Sequence, residues 1–350
     1  MITKKFGKAS IKRFGKASIK FENPITIKES ATIGGKKEGD GPLKDYFDRI
    51  EPDPFFNTDT WEKAESRMVE DTINLLLKKT DLKHSEIDYI VAGDLLNQSS
   101  GSSFGIKDFD IPVFGIYGAC SNIGEGFSIA AAFIDGGFAD KIIVNASSHF
   151  CSAEKQFRSP LELGNQRTPT SSWTVTGDGA FLLTKTDTPP YITKVTTGKI
   201  IDMGIKDQSH MGAAMAPAAC DTILNHFKDF KIDASYYDLI LTGDLGKYGG
   251  DILIKLLKDE GYNIERNYKD CGKEIFYNDQ DVHAGGSGCG CAAATFGSYF
   301  FKNLSDKKIN KILFVPTGAL LSATSVLQNL SIPSIAHAVA IENQQTCSET

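Results

Sequence analysis

The sequence predicts an α/β fold built from two similar halves. Strand-like apolar runs alternate with helical segments along the whole chain, and one strand pattern occurs twice, at 87–96 and at 236–246. In both places the run of apolar residues ends in Gly-Asp. A helical segment rich in small residues and containing cysteine, followed by a strand, also occurs twice, at 117–148 and at 286–318. Two pairs of matching segments, in the same order along the chain, indicate an internal duplication.

The first long helix is expected over residues 60–80, and it is followed by the first of the two repeated strands. Its apolar side chains recur at helical spacing on one face: Met68, Ile73, Leu76 and Leu77. The two segments that contain cysteine are rich in glycine and alanine. Because small residues let backbones approach closely, we expect these two helices to lie side by side at the centre of the molecule.

Three segments are expected along the chain: a basic arm at 1–20, an N-terminal half at 21–188 and a C-terminal half at 189–350. The arm contains the sequence FGKASIK twice, at 6–12 and 14–20, and has no acidic residue. One interpretation is a solvated arm or a strand with a duplicated leader. The other is weak electrostatic contact with an anionic membrane surface.

The composition is that of a soluble globular protein, with 41% hydrophobic and 23% charged residues. A net charge of −6 gives no reason to expect nucleic-acid binding. No apolar run is long enough to cross a membrane, which predicts a soluble or peripheral protein. The 7 cysteines include no CxxC pair and no Asp-rich loop occurs, so neither a zinc site nor a protein-only calcium site is expected.

Several long motifs resemble a known superfamily. The segments GACSNIGEG (118–126), ADKIIVNASSH (139–149) and VTGDGAFLL (175–183) resemble the first half of the thiolase and ketoacyl-synthase superfamily. More narrowly, HMGAAMAPAA (210–219) and HAGGSGCGCAA (283–293) resemble the stage V sporulation protein AD family. The resemblance implies a thiolase-like fold of two duplicated βα halves in five α-β-α-β-α layers.

The same resemblance implies a function in sporulation. Members of the family are expected to belong to a protein complex at the inner membrane of the developing spore, which takes up dipicolinic acid as its calcium chelate. Dipicolinic acid and the other proteins of that stage V sporulation A channel complex are therefore the expected partners. A homodimer is also expected, by analogy with the superfamily.

Cys120 corresponds to the residue that accepts an acyl group in the superfamily. A helix N-terminus favours the thiolate form of a cysteine, and its free N–H groups can stabilise an oxyanion. Condensation also requires a histidine assisted by a second histidine or an asparagine. Here the corresponding segment TGDLG (242–246) has Gly243 and Asp244 but no histidine, and HAGGSGCG has no asparagine, although His283 is close. We therefore expect a vestigial nucleophile and no catalytic residue.

A dipicolinate site requires donors for two carboxylates and an apolar wall for a flat ring. The strand end at 147–149 is expected near Cys120, and a loop at 153–172 is expected to cover the pocket. Guanidinium groups match carboxylates well, which favours the two arginines of that loop over other donors, although they could instead form structural ion pairs. His149 could equally be a structural histidine. The candidate ligand-binding residues are Cys120, Ser147, Ser148, His149, Arg158, Arg167 and His283.

Three functions remain open from the sequence. The first is non-catalytic binding of dipicolinic acid or its calcium chelate, with calcium carried by the ligand and no other cofactor. The second is acyl-thioester condensation or transfer by Cys120. The third is a structural scaffold of the spore complex with a vestigial pocket.

Overall fold

The structure is a computed structural model that describes residues 11–157 and 167–344. Its strands are β1 (Ile11–Phe14), β2 (Ser18–Gly35), β3 (Arg49–Glu51), β4 (Tyr89–Gly93), β5 (Val113–Gly115), β6 (Lys141–Ser148), β7 (Trp173–Thr174), β8 (Gly177–Thr184), β9 (Tyr191–Thr197), β10 (Leu239–Thr242), β11 (Tyr268–Asp270), β12 (Gly286–Ser287), β13 (Lys311–Val315), β14 (Thr317–Ala319) and β15 (Ser334–Glu342).

The helices are α1 (Lys36–Gly39), α2 (Trp61–Thr80), α3 (Ser100–Ile106), α4 (Asn122–Asp135), α5 (Phe150–Phe157), α6 (Met211–Phe230), α7 (Gly246–Asp259), α8 (Cys271–Glu274), α9 (Cys289–Thr295), α10 (Phe301–Ser305) and α11 (Ala323–Leu327). A π-helical turn at Phe296–Phe300 joins α9 to α10. The helix expected over 60–80 is confirmed as α2, whose N-cap Thr60 accepts a hydrogen bond from the backbone N–H of Lys63.

The sheet topology confirms the duplication. One half has the strand order β5-β4-β6-β8-β2 and the other has β11-β10-β13-β15-β9. In both halves the first three strands pair in parallel and the last two pair antiparallel. The halves are joined because the long strand β2 also pairs antiparallel with β9. The strands expected at 87–96 and 236–246 are β4 and β10, which occupy equivalent positions in the two halves.

A repeated aspartate supports the same symmetry at the level of side chains. The Asp88 carboxylate, just before β4, accepts hydrogen bonds from the backbone N–H groups of Asp140 and Lys141 at 2.7 and 2.9 Å. The Asp238 carboxylate, just before β10, accepts equivalent bonds from the N–H groups of Asn310 and Lys311 at the start of β13, at 2.8 and 3.0 Å. Each half therefore fixes the start of its two central parallel strands in the same way.

The helices occupy three layers around the two halves of the sheet. The central pair, α4 and α9, are in contact, and α4 packs against both β6 of the first half and β15 of the second. Helix α2 covers the outer face of the first half, with α3 packed against it, and α6 covers that of the second half, with α7 packed against it. This arrangement confirms the five-layer fold and the central position of the two helices.

The described part of the basic arm is a β-hairpin. Strand β1 pairs antiparallel with the start of β2. Strand β2 already begins at Ser18, whereas the arm was expected to extend to residue 20. The first copy of the repeated heptapeptide lies largely outside the described residues. The boundary expected between the two halves, at residue 188, lies between the end of β8 at Thr184 and the start of β9 at Tyr191. The boundary itself stays a prediction. Within 11–157 and 167–344, no helix has the length and apolar character of a membrane span.

The close packing of the central layer gives the first testable prediction. A Cβ added at Gly290 in α9 would lie 2.0 Å from the carbonyl oxygen of Gly177 in β8, whereas a Cβ at Gly115 in β5 would meet nothing within 4 Å. We expect Gly290→Ala to lower the free energy of unfolding by about 1–3 kcal/mol or more, because backbone must move. Gly115→Ala should change it by less than about 1 kcal/mol.

Thermal unfolding followed by circular dichroism measures both variants. Equal unfolding temperatures for Gly290→Ala and the Gly115→Ala control would contradict the close approach of α9 to the sheet.

Candidate functional site at Cys120

A cavity of about 80 Å³ lies beside Cys120. Side chains from both halves surround it: Leu95, Tyr117, Cys120, Ala153, Glu154, Phe157, Thr174, Gln208, Met211, Ser287, Gly288, Ala319 and Leu321. Most of these are apolar. Among the described lining residues, Glu154 is the only one with an acidic or basic charge, and none is a histidine. A space of this size holds several water molecules or one compact ligand.

Cys120 lies in a short 3-10 turn, Ala119–Ser121, that leads directly into α4. The preceding residue, Ala119, has a φ of +50°, which residues with a side chain seldom adopt. Two contacts hold this turn. The Cys289 thiol donates to the Ala119 carbonyl oxygen at 3.1 Å, and the Gly118 N–H donates to the Asn122 side chain at 2.6 Å. The position of the Cys120 thiol is therefore fixed by the heads of both central helices.

Asp244 is the central polar group of the site. Its carboxylate is fully buried and accepts hydrogen bonds from the Ser287 hydroxyl at 2.7 Å, the Gly288 N–H at 3.1 Å and the Thr317 hydroxyl at 3.0 Å. The Cys120 thiol is near enough to this carboxylate to be affected by its charge. Burial raises the pKa of Asp244, while these donors act in the opposite direction.

The environment of Cys120 favours the neutral thiol. Burial raises the thiol pKa well above its usual range, and the negative charge of Asp244 raises it further. The hydrogen bonds from the Gly288 backbone and the Ser287 side chain lower it by less. The sequence predicts a thiolate at this helix start, whereas desolvation and the neighbouring carboxylate favour the neutral thiol.

The predicted strand-end residues do not line the cavity. The Ser147 hydroxyl donates to Glu65 at 3.1 Å, and the Ser148 hydroxyl donates to the Val175 carbonyl at 2.7 Å. His149 is buried, and its Nε2 lies 2.8 Å from the Pro54 carbonyl oxygen. Burial lowers the pKa of His149, so the ring is neutral at physiological pH. All three side chains make contacts within the protein.

Arg167 and His283 both contact the side chain of Asp281. The guanidinium of Arg167 lies 3.5 Å from the Asp281 carboxylate and 4.7 Å from the centroid of the Trp173 ring. His283 Nε2 lies 3.0 Å from the same carboxylate. Trp173 and the cavity-lining Thr174 are neighbours on β7, and successive side chains of a strand point to opposite faces. Arg167 and His283 therefore lie next to the cavity but do not line it.

Arg158 lies outside the described residues, so its role as a ligand-binding residue stays a prediction.

Several lining residues carry no recognisable signal in the sequence, since Leu95, Tyr117, Gln208 and Met211 belong to different segments that only the fold brings together. Ser287 could have been found, because it follows His283 in the HAGGSGCG motif. Its hydroxyl lies 4.0 Å from the Cys120 thiol.

Comparison with known structures defines the class of protein. The fold is similar to that of 3-oxoacyl-[acyl-carrier-protein] synthase III from Aquifex aeolicus, with a TM-score of 0.56 and 13% identity over 91% of this chain and 99% of that one. It is also similar to OleA from Xanthomonas campestris, with a TM-score of 0.56 and 13% identity over 91% of this chain and 98% of that one. The chain therefore has the thiolase-like fold of the ketosynthases.

The family is shown by sequence. Residues 15–342 match the family profile of stage V sporulation protein AD. The stage V sporulation protein AD of Bacillus subtilis (strain 168) is 45% identical over 322 residues, which cover 92% of this chain and 95% of the relative. The chain belongs to the stage V sporulation protein AD family, as the motifs quoted above predicted.

The charge of Asp244 beside Cys120 gives a prediction about thiol reactivity. Asp244→Asn removes this negative charge, so the thiol pKa should fall and alkylation of Cys120 by iodoacetamide should become several-fold faster at pH 8.

Peptide mass spectrometry measures the rate at Cys120, with the half-buried Cys151 as an internal reference. An unchanged rate at Cys120 in Asp244→Asn would show that the carboxylate does not control the thiol.

Proposed function

We propose that this protein binds dipicolinic acid, or its calcium chelate, in the cavity at Cys120 and does not transform it. The observation that carries the proposal is the buried carboxylate of Asp244 beside Cys120, in a segment that has no histidine. A buried carboxylate there suppresses thiolate formation. No described lining residue is a histidine that could act as a base.

The lining suits a small, flat and polar ligand. Leu95, Phe157, Met211 and Leu321 supply apolar walls for a ring. The amide of Gln208 supplies a neutral donor for a carboxylate oxygen, whereas the Ser287 and Thr174 hydroxyls donate to Asp244 and Glu154. The Glu154 carboxylate opposes a bare dianion, and calcium bound to the ligand would cancel that repulsion.

The family membership supports a role in sporulation, and we place the protein in the complex that takes up dipicolinate at the inner membrane of the developing spore. Self-association is part of the proposal. Strand β5 is the last strand on its side of the sheet, and its Val113 and Phe114 side chains are exposed. An edge strand with exposed apolar side chains favours pairing with a second copy of the chain.

Acyl transfer is the second candidate, because the thiol of Cys120 lies at the head of a central helix and lines a cavity. The geometry favours it less, since the thiol is neutral and no described lining residue is a histidine. It would reveal itself as an acyl adduct on Cys120 after incubation with an acyl thioester.

Titration calorimetry with dipicolinate, with and without calcium, tests the proposal. Cys120→Ser keeps the size of the side chain and should bind nearly as well as wild type. Cys120→Trp fills the cavity and should abolish binding, and thermal unfolding of each variant shows that it is folded.

The other outcomes of these experiments would contradict the proposal in different ways. Undiminished binding to Cys120→Trp would place the ligand elsewhere. No binding to wild type under either condition would favour a scaffold, and an acyl adduct on Cys120 would favour the enzyme.

A further inference from the structure

Basic side chains are concentrated on one surface, where the β1–β2 hairpin meets the C-terminal end of α6. Phe14 packs on Phe230 with 5.1 Å between ring centroids, and the Ser18 hydroxyl donates to the Asp229 carboxylate at 2.7 Å. We call this surface the basic face, and its cationic side chains are Arg13, Lys16, Lys20, Lys228, Lys231 and Lys311. Among the residues that the structure describes, none of these six cations forms an ion pair with a carboxylate.

Strands β2 and β13 connect the hairpin to the end of α6. Burial lowers the pKa of Lys194 on β9, and the nearby charges of Lys20 and Lys311 lower it further. Lys194 adds no net charge itself, because its ammonium group lies 2.6 Å from the buried Glu342 carboxylate. The Nζ of Lys311 lies 4.1 Å from the centroid of the Tyr236 ring. Tyr236 in turn borders the lysines at the end of α6.

An open cleft of about 500 Å³ lies at the end of α6. Its lining residues are Phe227, Lys228, Lys231, Ile232, Asp233, Ser235, Tyr236 and Tyr262. Two ammonium groups supply charge for a phosphate, and the apolar and tyrosine side chains beside them suit the interfacial region of a bilayer. The cleft therefore has the chemistry that a phospholipid headgroup requires.

Carboxylates near the basic face are fewer than its cations. Asp229 binds Ser18 as described above, Asp233 accepts hydrogen bonds from the N–H and hydroxyl of Ser235, and Asp238 binds the N–H groups at the start of β13. Glu22 is exposed on β2. The basic face keeps an excess of positive charge although the whole chain has a net charge of −6. Residues 1–10, which precede β1, add three lysines and no acid.

The internal duplication shows that the fold alone does not require all of these cations. Helices α2 and α6 each have 20 residues, with Lys78 and Lys228 at equivalent positions in their last turns. A favourable interaction with the helix dipole accounts for both of these lysines. The left-handed C-cap residue is Asp81 in the first half and Lys231 in the second. Because the two caps have opposite charges, neither the dipole nor the cap geometry explains Lys231.

We propose that the basic face binds the anionic surface of a phospholipid bilayer, with a lipid phosphate in the cleft between Lys228 and Lys231. Ile232 and Tyr262 favour a bilayer over a nucleic acid, because apolar groups can enter the headgroup region but gain little from a phosphate backbone. The proposal extends the membrane location given under the proposed function, but it does not depend on dipicolinate binding.

Co-sedimentation of the full chain with lipid vesicles tests the proposal. We expect binding to vesicles of equal parts phosphatidylglycerol and phosphatidylcholine at about 50 mM NaCl, and no binding to vesicles of phosphatidylcholine alone. Affinity for the anionic vesicles should fall about tenfold or more at about 300 mM NaCl, because salt screens exposed charges.

The two halves of the chain supply matched variants. Lys228→Gln should weaken vesicle binding about fivefold, and Lys231→Asp, which reverses a charge, about 25-fold. Aspartate suits this position, since Asp81 has φ 53° and ψ 39° and Lys231 has φ 54° and ψ 45°. Lys78→Gln removes the same charge from the equivalent turn of α2 and should leave vesicle binding unchanged. Thermal unfolding shows that each variant is folded.

Several outcomes would overturn the proposal. Equal losses in Lys228→Gln and Lys78→Gln would indicate an effect of net charge alone, and wild type that does not bind anionic vesicles at low salt would exclude a membrane surface. Displacement from vesicles by about 5 mM inorganic phosphate at constant ionic strength would assign the cleft to a free anion. Binding to single-stranded RNA that is tighter than binding to vesicles would assign the face to nucleic acid.

Dipicolinate binding is measured separately, by calorimetry without lipid. Vesicle binding that depends on Lys228 and Lys231, in a protein that does not bind dipicolinate, would refute the proposed function and leave the membrane surface intact. Dipicolinate binding without vesicle binding would do the reverse.

Discussion

The buried carboxylate of Asp244 is the constraint on which the rest of the site depends. An ionised group without solvent is costly unless hydrogen bonds satisfy it, and Asp244 is satisfied by Ser287, Gly288 and Thr317. These partners come from β12, the start of α9 and β14. One carboxylate therefore holds the head of α9 to β14, and its charge disfavours the thiolate of the neighbouring Cys120.

The duplication places an aspartate after an equivalent strand in each half. Asp94 follows β4 as Asp244 follows β10, but the two residues have different surroundings. Asp94 accepts bonds from amides of its own loop, whereas Asp244 accepts bonds from the head of α9 and from β14 and lies beside Cys120 of the opposite half. The same position in the repeat thus organises a loop in one copy and the candidate ligand site in the other. The cavity wall between them, formed in part by α5, depends on both copies.

Much of the fold could be predicted from the sequence, because hydrophobic periodicity and repeated motifs are local signals. The helix over 60–80, the repeated strands and the central position of the helices at Cys120 and Cys289 all follow from such patterns. The cavity lining could not be predicted, since residues such as Gln208 and Tyr117 come together only through the tertiary fold. The sequence shows that no histidine stands at Gly243 and Asp244, but it does not show that the Asp244 carboxylate lies beside the thiol.

The central claim is that Cys120 forms part of a non-covalent ligand site. A crystal structure of the protein grown with calcium dipicolinate tests it most directly. We expect the ring between the apolar walls, with its nearest atom in van der Waals contact with the Cys120 sulfur at about 3.5–4 Å. Electron density for a covalent bond to the sulfur, or a ligand bound outside this cavity, would contradict the account.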